Sequence, residues 1–277
     1  SLYSRSRRPP SRERRVRILT KLERYEDAKT LCQQMLATPV ADEEAQFAEM
    51  YLPKLHKALG LSVKKQVVFR PISTKLTLKP GESRVEVAAR EFYAQFGECF
   101  YVENSLLNGV LGLFIWDIVF LPMPNVFFNP FQSSPADFYQ PEFRLARQEE
   151  LTARWTMLDD EIAFGARVWE SFETKQGIVN PLVNWGCLSE KLLRLALMRI
   201  PVAHFRILFD RILADLANNS SGLPDLILFD RKGGYEFIEI KGPGDAVQKN
   251  QKRWMQYFTD HRIPYRVVQV RWSTITE

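Results

Sequence analysis

Two carboxylates and one amine stand at a spacing that suits divalent-cation chemistry at a phosphate. Pro224-Asp225 precedes the apolar run Leu226-Ile227-Leu228-Phe229, and Glu239-Ile240-Lys241 ends the run that starts at Phe237. Both runs are short and bounded by turn residues, the pattern of strands. Between them lies Asp230-Arg231-Lys232-Gly233-Gly234. A three-residue hairpin loop usually ends in a residue at positive φ, which Gly233 supplies without steric cost. That loop pairs Asp230 with Gly234 and sets Asp225 opposite Glu239, with Cβ atoms roughly 5 Å apart. Two carboxylates that close repel each other unless a cation lies between them. Mg²⁺ favours one or two carboxylates plus water and phosphate oxygens, at roughly 2.1 Å. Strand period two puts Lys241 on the face of Glu239, where its ammonium can hold an attacking water or the scissile phosphate. The competing reading is a hairpin edge with solvent-facing charges. A second E-x-K, Glu173-Thr174-Lys175, has no Pro-Asp before it and lies in a helical run, so it reads as a solvated surface pair.

The elements around these residues follow from periodicity. Residues 12–60 read as a helical pair, with Val16, Leu19 and Leu22 on one stripe and Ala28, Leu31, Cys32, Met35 and Leu36 on the next. The helical pattern continues from Asp42 to Leu59, with Pro53 expected to kink it. Such hairpins suit the edge of a helical-repeat array, although no period recurs. Short strands are expected in 66–79, helices at 84–96 and 104–121, and a proline-, asparagine- and serine-rich connection over 122–141. Residues 142–218 read as mainly helical, with breaks near 177–187 and at Pro201, and a strand, strand, helix, strand series ends the chain. Asp245-Ala246-Val247-Gln248 reads as a capping box opening a helix to about Thr259. On that helix Val247, Gln251, Trp254 and Phe258 share one face, so Gln251 is a polar group on the inward side. Lys249, Lys252 and Arg253 point elsewhere, either toward a nucleic-acid backbone or simply into solvent.

The formal net charge of +5 is local. Arg5, Arg7, Arg8, Arg12, Arg14, Arg15 and Arg17 face only Glu13 in the first seventeen residues, which leaves the rest of the chain at −1. Net charge therefore gives no argument that the remainder binds nucleic acid. The arginine run fits phosphate contact and a solvated helix start equally well. Cys32, Cys99 and Cys187 have no metal-ligand spacing and make no disulfide framework, which fits a reducing, intracellular compartment. The apolar run from Val110 to Pro122 is too short to span a membrane and contains Asp117, a residue expected to be a structural hydrogen-bond acceptor. No signal peptide is visible. Ser1 stands where an initiator methionine would, as in a portion of a longer protein.

The flanks of the two strands add a resemblance. Gly222-Leu223-Pro224-Asp225-Leu226, Glu239-Ile240-Lys241-Gly242-Pro243-Gly244-Asp245 and Gln251 resemble the VRR-NUC branch of the PD-(D/E)xK nucleases, and more closely the Fanconi-associated nuclease family. Glu103-Asn104-Ser105 followed by Leu113-Phe114-Ile115-Trp116-Asp117-Ile118-Val119-Phe120 matches as well. The resemblance covers roughly residues 84–145 and 180–271. It implies an α/β, restriction-endonuclease-like (αβββαβ) core over 66–277 with a helical insertion at about 142–218, preceded over 1–65 by the end of a helical repeat-like domain. It further implies a metal-dependent nuclease cutting 5′ flaps and degrading 5′ ends in repair of interstrand crosslinks. Glu103 becomes the third acid, expected to face inward with Leu107, Val110, Leu111 and Phe114, in preference to Glu98 and Glu91. Mg²⁺ or Mn²⁺ is expected on Glu103, Asp225, Glu239 and the Ile240 carbonyl, with Lys241 stabilising the attacking hydroxide or the transition state. Gln251 is either an active-site glutamine or a satisfied core amide. The partners implied are branched DNA and, for a fragment, the upstream portion of the same protein, where much of the family's pocket for a 5′-terminal phosphate would lie. The compartment is nucleoid or cytoplasm in a bacterium and nucleus in a eukaryote. Cutting of four-way junctions and an inactive DNA-binding scaffold are the alternatives.

Overall fold

A computed structural model describes residues 10–40, 42–63, 69–81 and 83–273, with the side chains of Asp42 and Glu43 excepted. The chain divides into two compact units, Ser1–Val68 and Phe69–Glu277.

In the first unit three helices, not two, share one small core: α1 Ser11–Lys21, α2 Tyr25–Ala37 and α3 Asp42–Ala58. Val16, Leu19, Ala28, Leu31, Cys32, Met35, Ala48 and Leu55 fill it. Leu22 is 63% exposed, because α1 ends at Lys21 and the chain then turns through Glu23 at positive φ. Helix α3 runs unbroken through Pro53. Glu44 is buried and accepts from Arg12 Nε (2.6 Å) and the Val40 N–H (2.8 Å).

In the second unit β1 Ser73–Leu78 is followed by α4 Val85–Tyr93 and β2 Gly97–Tyr101. Strand β2 lies between the two expected helices, where no element was expected: Gly97-Glu98-Cys99-Phe100-Tyr101 has little helical periodicity and pairs antiparallel with β3. A helical layer follows, from α5 Leu106–Phe114 and α6 Trp116–Val119 to α7 Glu142–Ala146, α8 Gln148–Trp155, α9 Glu161–Thr174, α10 Glu190–Arg199, α11 Val202–Ala214 and α12 Leu216–Asn219. Then come β3 Leu226–Asp230, β4 Tyr235–Lys241, α13 Lys249–Asp260 and β5 Tyr265–Trp272. The sheet order is β1-β5-β4-β3-β2. Strands β1, β5 and β4 run parallel, and β3 and β2 are each antiparallel to a neighbour. The succession α4-β2-β3-β4-α13-β5 is the αβββαβ core of a restriction-endonuclease-like fold, with a helical insertion between β2 and β3 and β1 added beyond β5.

Period two divides the sheet between two cores. Leu226, Leu228, Ile238, Ile240, Val268 and Val270 pack against Ala89 and Tyr93 of α4. Ile227, Phe229, Tyr235, Phe237 and Val267 face the larger core with α5, α11 and α13. Helix α5 is buried along all nine residues, so its apolar stripe extends right round. That needs glycine where α5 meets the segment before α10: a Cβ at Gly112 would lie 2.8 Å from Leu182 Cβ and from Val183 Cγ2. The 122–141 connection is a run of turns anchored by Phe138 and by Asp137, which accepts from the fully buried Arg147 at 2.7 Å. Among the described residues no helix is long and apolar enough to cross a membrane.

Candidate active site

The hairpin between β3 and β4 has the expected register. Leu226 is opposite Ile238 and Phe229 opposite Tyr235, and the Asp230 N–H donates to Gly234 O at 3.0 Å. Gly233 has φ 100°, and the Asp230 carboxylate accepts from the N–H groups of Lys232 (2.8 Å) and Gly234 (2.9 Å), which closes the turn. The same register carries Asp225 opposite Glu239. Both lie on the sheet face of Ile227 and Phe237, beneath α13.

Each carboxylate is held on one oxygen. Asp225 Oδ2 accepts the Ile240 N–H at 2.7 Å, and its carbonyl accepts the Val102 N–H at 2.8 Å, which joins the ends of β2 and β3. Glu239 Oε1 accepts from Lys241 Nζ at 2.7 Å and Gln251 Nε2 at 2.6 Å. Glu239 is 0% exposed, yet its Oε2 has no hydrogen-bond partner among the described residues. An unpaired buried carboxylate oxygen is costly in water-free surroundings and is the donor a divalent cation uses. Burial raises the Asp225 carboxyl to about 6, against the opposing pull of the Ile240 N–H and Lys241 and with a further push from Glu103 and Glu86. Burial and then the Asp225 charge raise Glu239 to about 8, in spite of Lys241. Both shifts come first from burial, which disfavours the charged form, and the neighbouring acids add to it.

Glu103 departs from its expected orientation. It precedes α5 in the turn after β2, is exposed, and its Oε2 accepts from the Tyr101 hydroxyl. The inward stripe starts only at Leu106, since Asn104 takes a left-handed conformation (φ 51°) that breaks the helical phase. Glu103 still raises both Asp225 and Glu239, although no group of three His, Cys, Asp or Glu side chains among the described residues is drawn up to hold a metal. Asn104 also ties the two halves of the site together. Its Oδ1 accepts the Leu223 N–H at 3.0 Å, and Asn108 Nδ2 donates to both Asn104 O and Ser220 O at 2.7 Å.

The helix that carries Gln251 begins later than its sequence implies. Gln248 is the N-cap of α13, and the capping box is formed with Gln251, whose Oε1 accepts the Gln248 N–H at 2.9 Å. Asp245 instead accepts the Gly242 N–H at 3.2 Å within the preceding turn. Gln251 thus fixes the start of α13 with one amide atom and Glu239 with the other. Lys249 and Lys252 are exposed, whereas Arg253 is 9% exposed and packed, which argues against a role at a phosphate backbone. Arg12 is engaged with Glu44 and Thr38 O, and Arg5, Arg7 and Arg8 lie outside the described residues. Glu173 of the second E-x-K accepts from Trp169 Nε1 at 2.7 Å on the surface. Asp117 accepts from Arg154 and Arg167, both at 2.7 Å, as a structural acceptor would, though it is exposed. Three residues near the site escaped sequence reasoning: Tyr101, Asn104 as a tether, and Glu86 in the first turn of α4. Their only signal is proximity to Glu103 and to a helix start.

Comparison with known proteins agrees with this fold. The VRR-NUC domain model matches residues 161–272. The Fanconi-associated nuclease 1 homolog of Pseudomonas aeruginosa is 36% identical over 276 residues, 98% of this chain and 49% of that protein. Fanconi-associated nuclease 1 of Danio rerio is 32% identical over 181 residues, 62% of this chain and 18% of that protein. The crystal structure of paFAN1 bound to 2nt 5′ flap DNA with gap superposes with a TM-score of 0.88 at 36% identity, covering 99% of this chain and 51% of that one. The chain thus spans about half the length of the bacterial relative it matches. With its αβββαβ core and its Asp225, Glu239 and Lys241 cluster, the chain belongs to the Fanconi-associated nuclease family and carries a VRR-NUC domain.

Proposed function

We propose that this chain is the nuclease portion of a metal-dependent, structure-specific DNA nuclease that cuts 5′ flaps and degrades DNA from 5′ ends during repair of interstrand crosslinks, within the nucleoid or the nucleus. The observation that carries the reading is the buried, unpartnered Glu239 Oε2 beside Asp225, with Lys241 as the one ammonium in the cluster. The donor set is all oxygen, which suits Mg²⁺ or Mn²⁺. Asp225, Glu239, Glu103 and the Ile240 carbonyl would hold the ion, Glu103 by turning from its exposed position. When bound, the ion supplies Lewis acidity and a water of lowered pKa. Lys241 sits at the mouth of the pair and offers a proton-bearing, positively charged contact to the phosphate oxygen that gains charge. Gln251 keeps the Glu239 carboxylate in one orientation. The flap preference is supported by the 5′ flap DNA bound in the superposable paFAN1 crystal structures, and the exposed Lys249 and Lys252 offer contacts to the phosphate backbone.

The test offers the chain labelled 5′-flap, four-way-junction and single-stranded DNA with Mg²⁺ or Mn²⁺, alongside Asp225→Ala and Lys241→Ala. Flap cutting by the wild type alone supports the proposal. Junction cutting without flap cutting selects a resolving nuclease, and tight binding without cleavage, repeated with any upstream portion restored, selects an inert scaffold. Cleavage that survives Asp225→Ala sinks the site assignment.

A further inference from the structure

We infer that the outer strands β5 and β1 extend the catalytic face of the sheet into a track for the sugar-phosphate backbone of the DNA, with Lys75 and Arg271 as its cations. The inference rests on the DNA-nuclease reading above and carries it from the cut phosphate to its neighbours along one strand. In-register residues of adjacent parallel strands project from the same face of a sheet. Lys241 is level with Gln269 of β5, and Gln269 is level with Lys75 of β1. The three residues therefore form a row on the face of Glu239, running from the ammonium of the metal centre to the sheet edge. One step further along the strands, Arg271 is level with Thr77 on the same face. Strand β4 has ended at Lys241 by then, so Arg271 and Thr77 stand past its carboxyl end, the side on which open α/β sheets take their ligands.

Burial separates the two faces of these strands. Leu76 and Leu78 of β1 are half-buried toward α4, whereas Ser73, Lys75 and Thr77, which alternate with them, are exposed. On β5, Val268 and Val270 pack toward α4, while Gln269 is half-buried and Arg271 exposed on the other side. Neither strand contains an Asp or a Glu. The Lys75 ammonium and the Arg271 guanidinium have no hydrogen bond or ion pair among the described residues, whereas Arg266, on the α4 side of β5, is paired with Glu236. A cationic row without acids of its own is complementary to a polyanion. Neighbouring strands lie about 4.8 Å apart, so Lys75 is roughly 10 Å across the sheet from Lys241. At about 3.4 Å of rise per nucleotide in one strand, that distance spans roughly three phosphates. Because the row starts at the metal centre, an acidic protein seated on it would block the site, whereas the substrate strand has to pass it.

The test measures binding of a labelled 5′ flap to the full chain in EDTA, by fluorescence anisotropy over a series of salt concentrations. It compares wild type, Lys75→Gln, Arg271→Gln, the double variant and Lys232→Gln. Lys232 is exposed at the far end of the β3–β4 hairpin, and its variant loses the same charge as each single one. Each lost phosphate contact lowers the slope of log K against log salt by about 0.9, so the double variant should lose about 1.8 and bind roughly tenfold or more weakly at about 0.1 M salt. In single-turnover cleavage the double variant should need more protein for half-maximal rate and keep the rate at saturation. Lys232→Gln should match wild type, and thermal unfolding should be the same for all. A double variant with the wild-type slope overturns the inference and leaves the metal centre untouched, as does a Lys232→Gln slope that falls as far as either single variant's. A wild-type chain that does not bind the flap overturns the DNA reading and the inference together. The expected slope loss in a chain that never cleaves supports the track and counts against the metal centre instead.

Discussion

Asp225→Asn should make the metal-free protein more stable at neutral and alkaline pH while abolishing cleavage. Asp225 is 8% exposed, and its carboxyl is raised from 3.8 to about 6, first by burial. A raised folded-state pKa means that the native state binds the proton more tightly than the unfolded chain. Stability from this group is therefore fully present below about 3.8, falls as pH rises through about 6, and is flat beyond. The shift corresponds to a native-state penalty of about 3 kcal/mol at pH 8, roughly half of which is already present at pH 5. Asparagine can keep the Ile240 N–H bond through its carbonyl while removing the charge at every pH, and it also relieves Glu239, which the Asp225 charge helps to raise. Urea denaturation in EDTA should therefore show the variant ahead of wild type by about 1–3 kcal/mol at pH 8, with a smaller lead at pH 5. Added Mn²⁺ should stabilise wild type far more than the variant. A variant no more stable than wild type at pH 8, or one with the same lead at both pH values, would refute the argument that the buried acids are held at a cost.

Metal binding should itself depend on pH. Glu239 near 8 is mostly protonated at pH 7, so an arriving ion must displace that proton, and apparent Mn²⁺ affinity should rise by up to about tenfold per unit between pH 6 and 8 before levelling. Calorimetry in buffers of different ionisation enthalpy checks this, and pH-independent affinity contradicts it. Asn104→Ala removes the Leu223 N–H acceptor and puts alanine at positive φ, so it should cost about 1–3 kcal/mol and lower cleavage, with Asn104→Gly recovering the backbone part only. Gly112→Ala pushes α5 away from Leu182 and Val183, and a loss of about 1–3 kcal/mol is expected in thermal unfolding with little change in Mn²⁺ affinity.

The hairpin was legible because its signals are local. Short apolar runs, one glycine at the left-handed loop position and a side chain that closes its own turn are enough to set the register, and the register alone brings Asp225 to Glu239. The succession of helices and strands around it was legible for the same reason wherever the periodicity was long. Strand β2 was not, because five mixed residues have little pattern of their own and are strands only through pairing with β3. The start of α13 was displaced by three residues because Asp245, the better cap by residue type, is taken by the Gly242 turn, which leaves Gln248 to cap the helix with Gln251. Glu103 was found through its neighbours, but its outward direction depends on the left-handed Asn104 and on a loop 119 residues away. The packing of Arg253 follows from the tertiary surroundings of α13, which no local pattern records.

Anomalous scattering from Mn²⁺ soaked into crystals of the chain locates the ion against the buried acids. A peak is expected within bonding distance of Glu239 Oε2, Asp225 and the Ile240 carbonyl, lost in Asp225→Ala. A protein that cleaves flap DNA with Mn²⁺ bound elsewhere, and with no peak at these three groups, would contradict it.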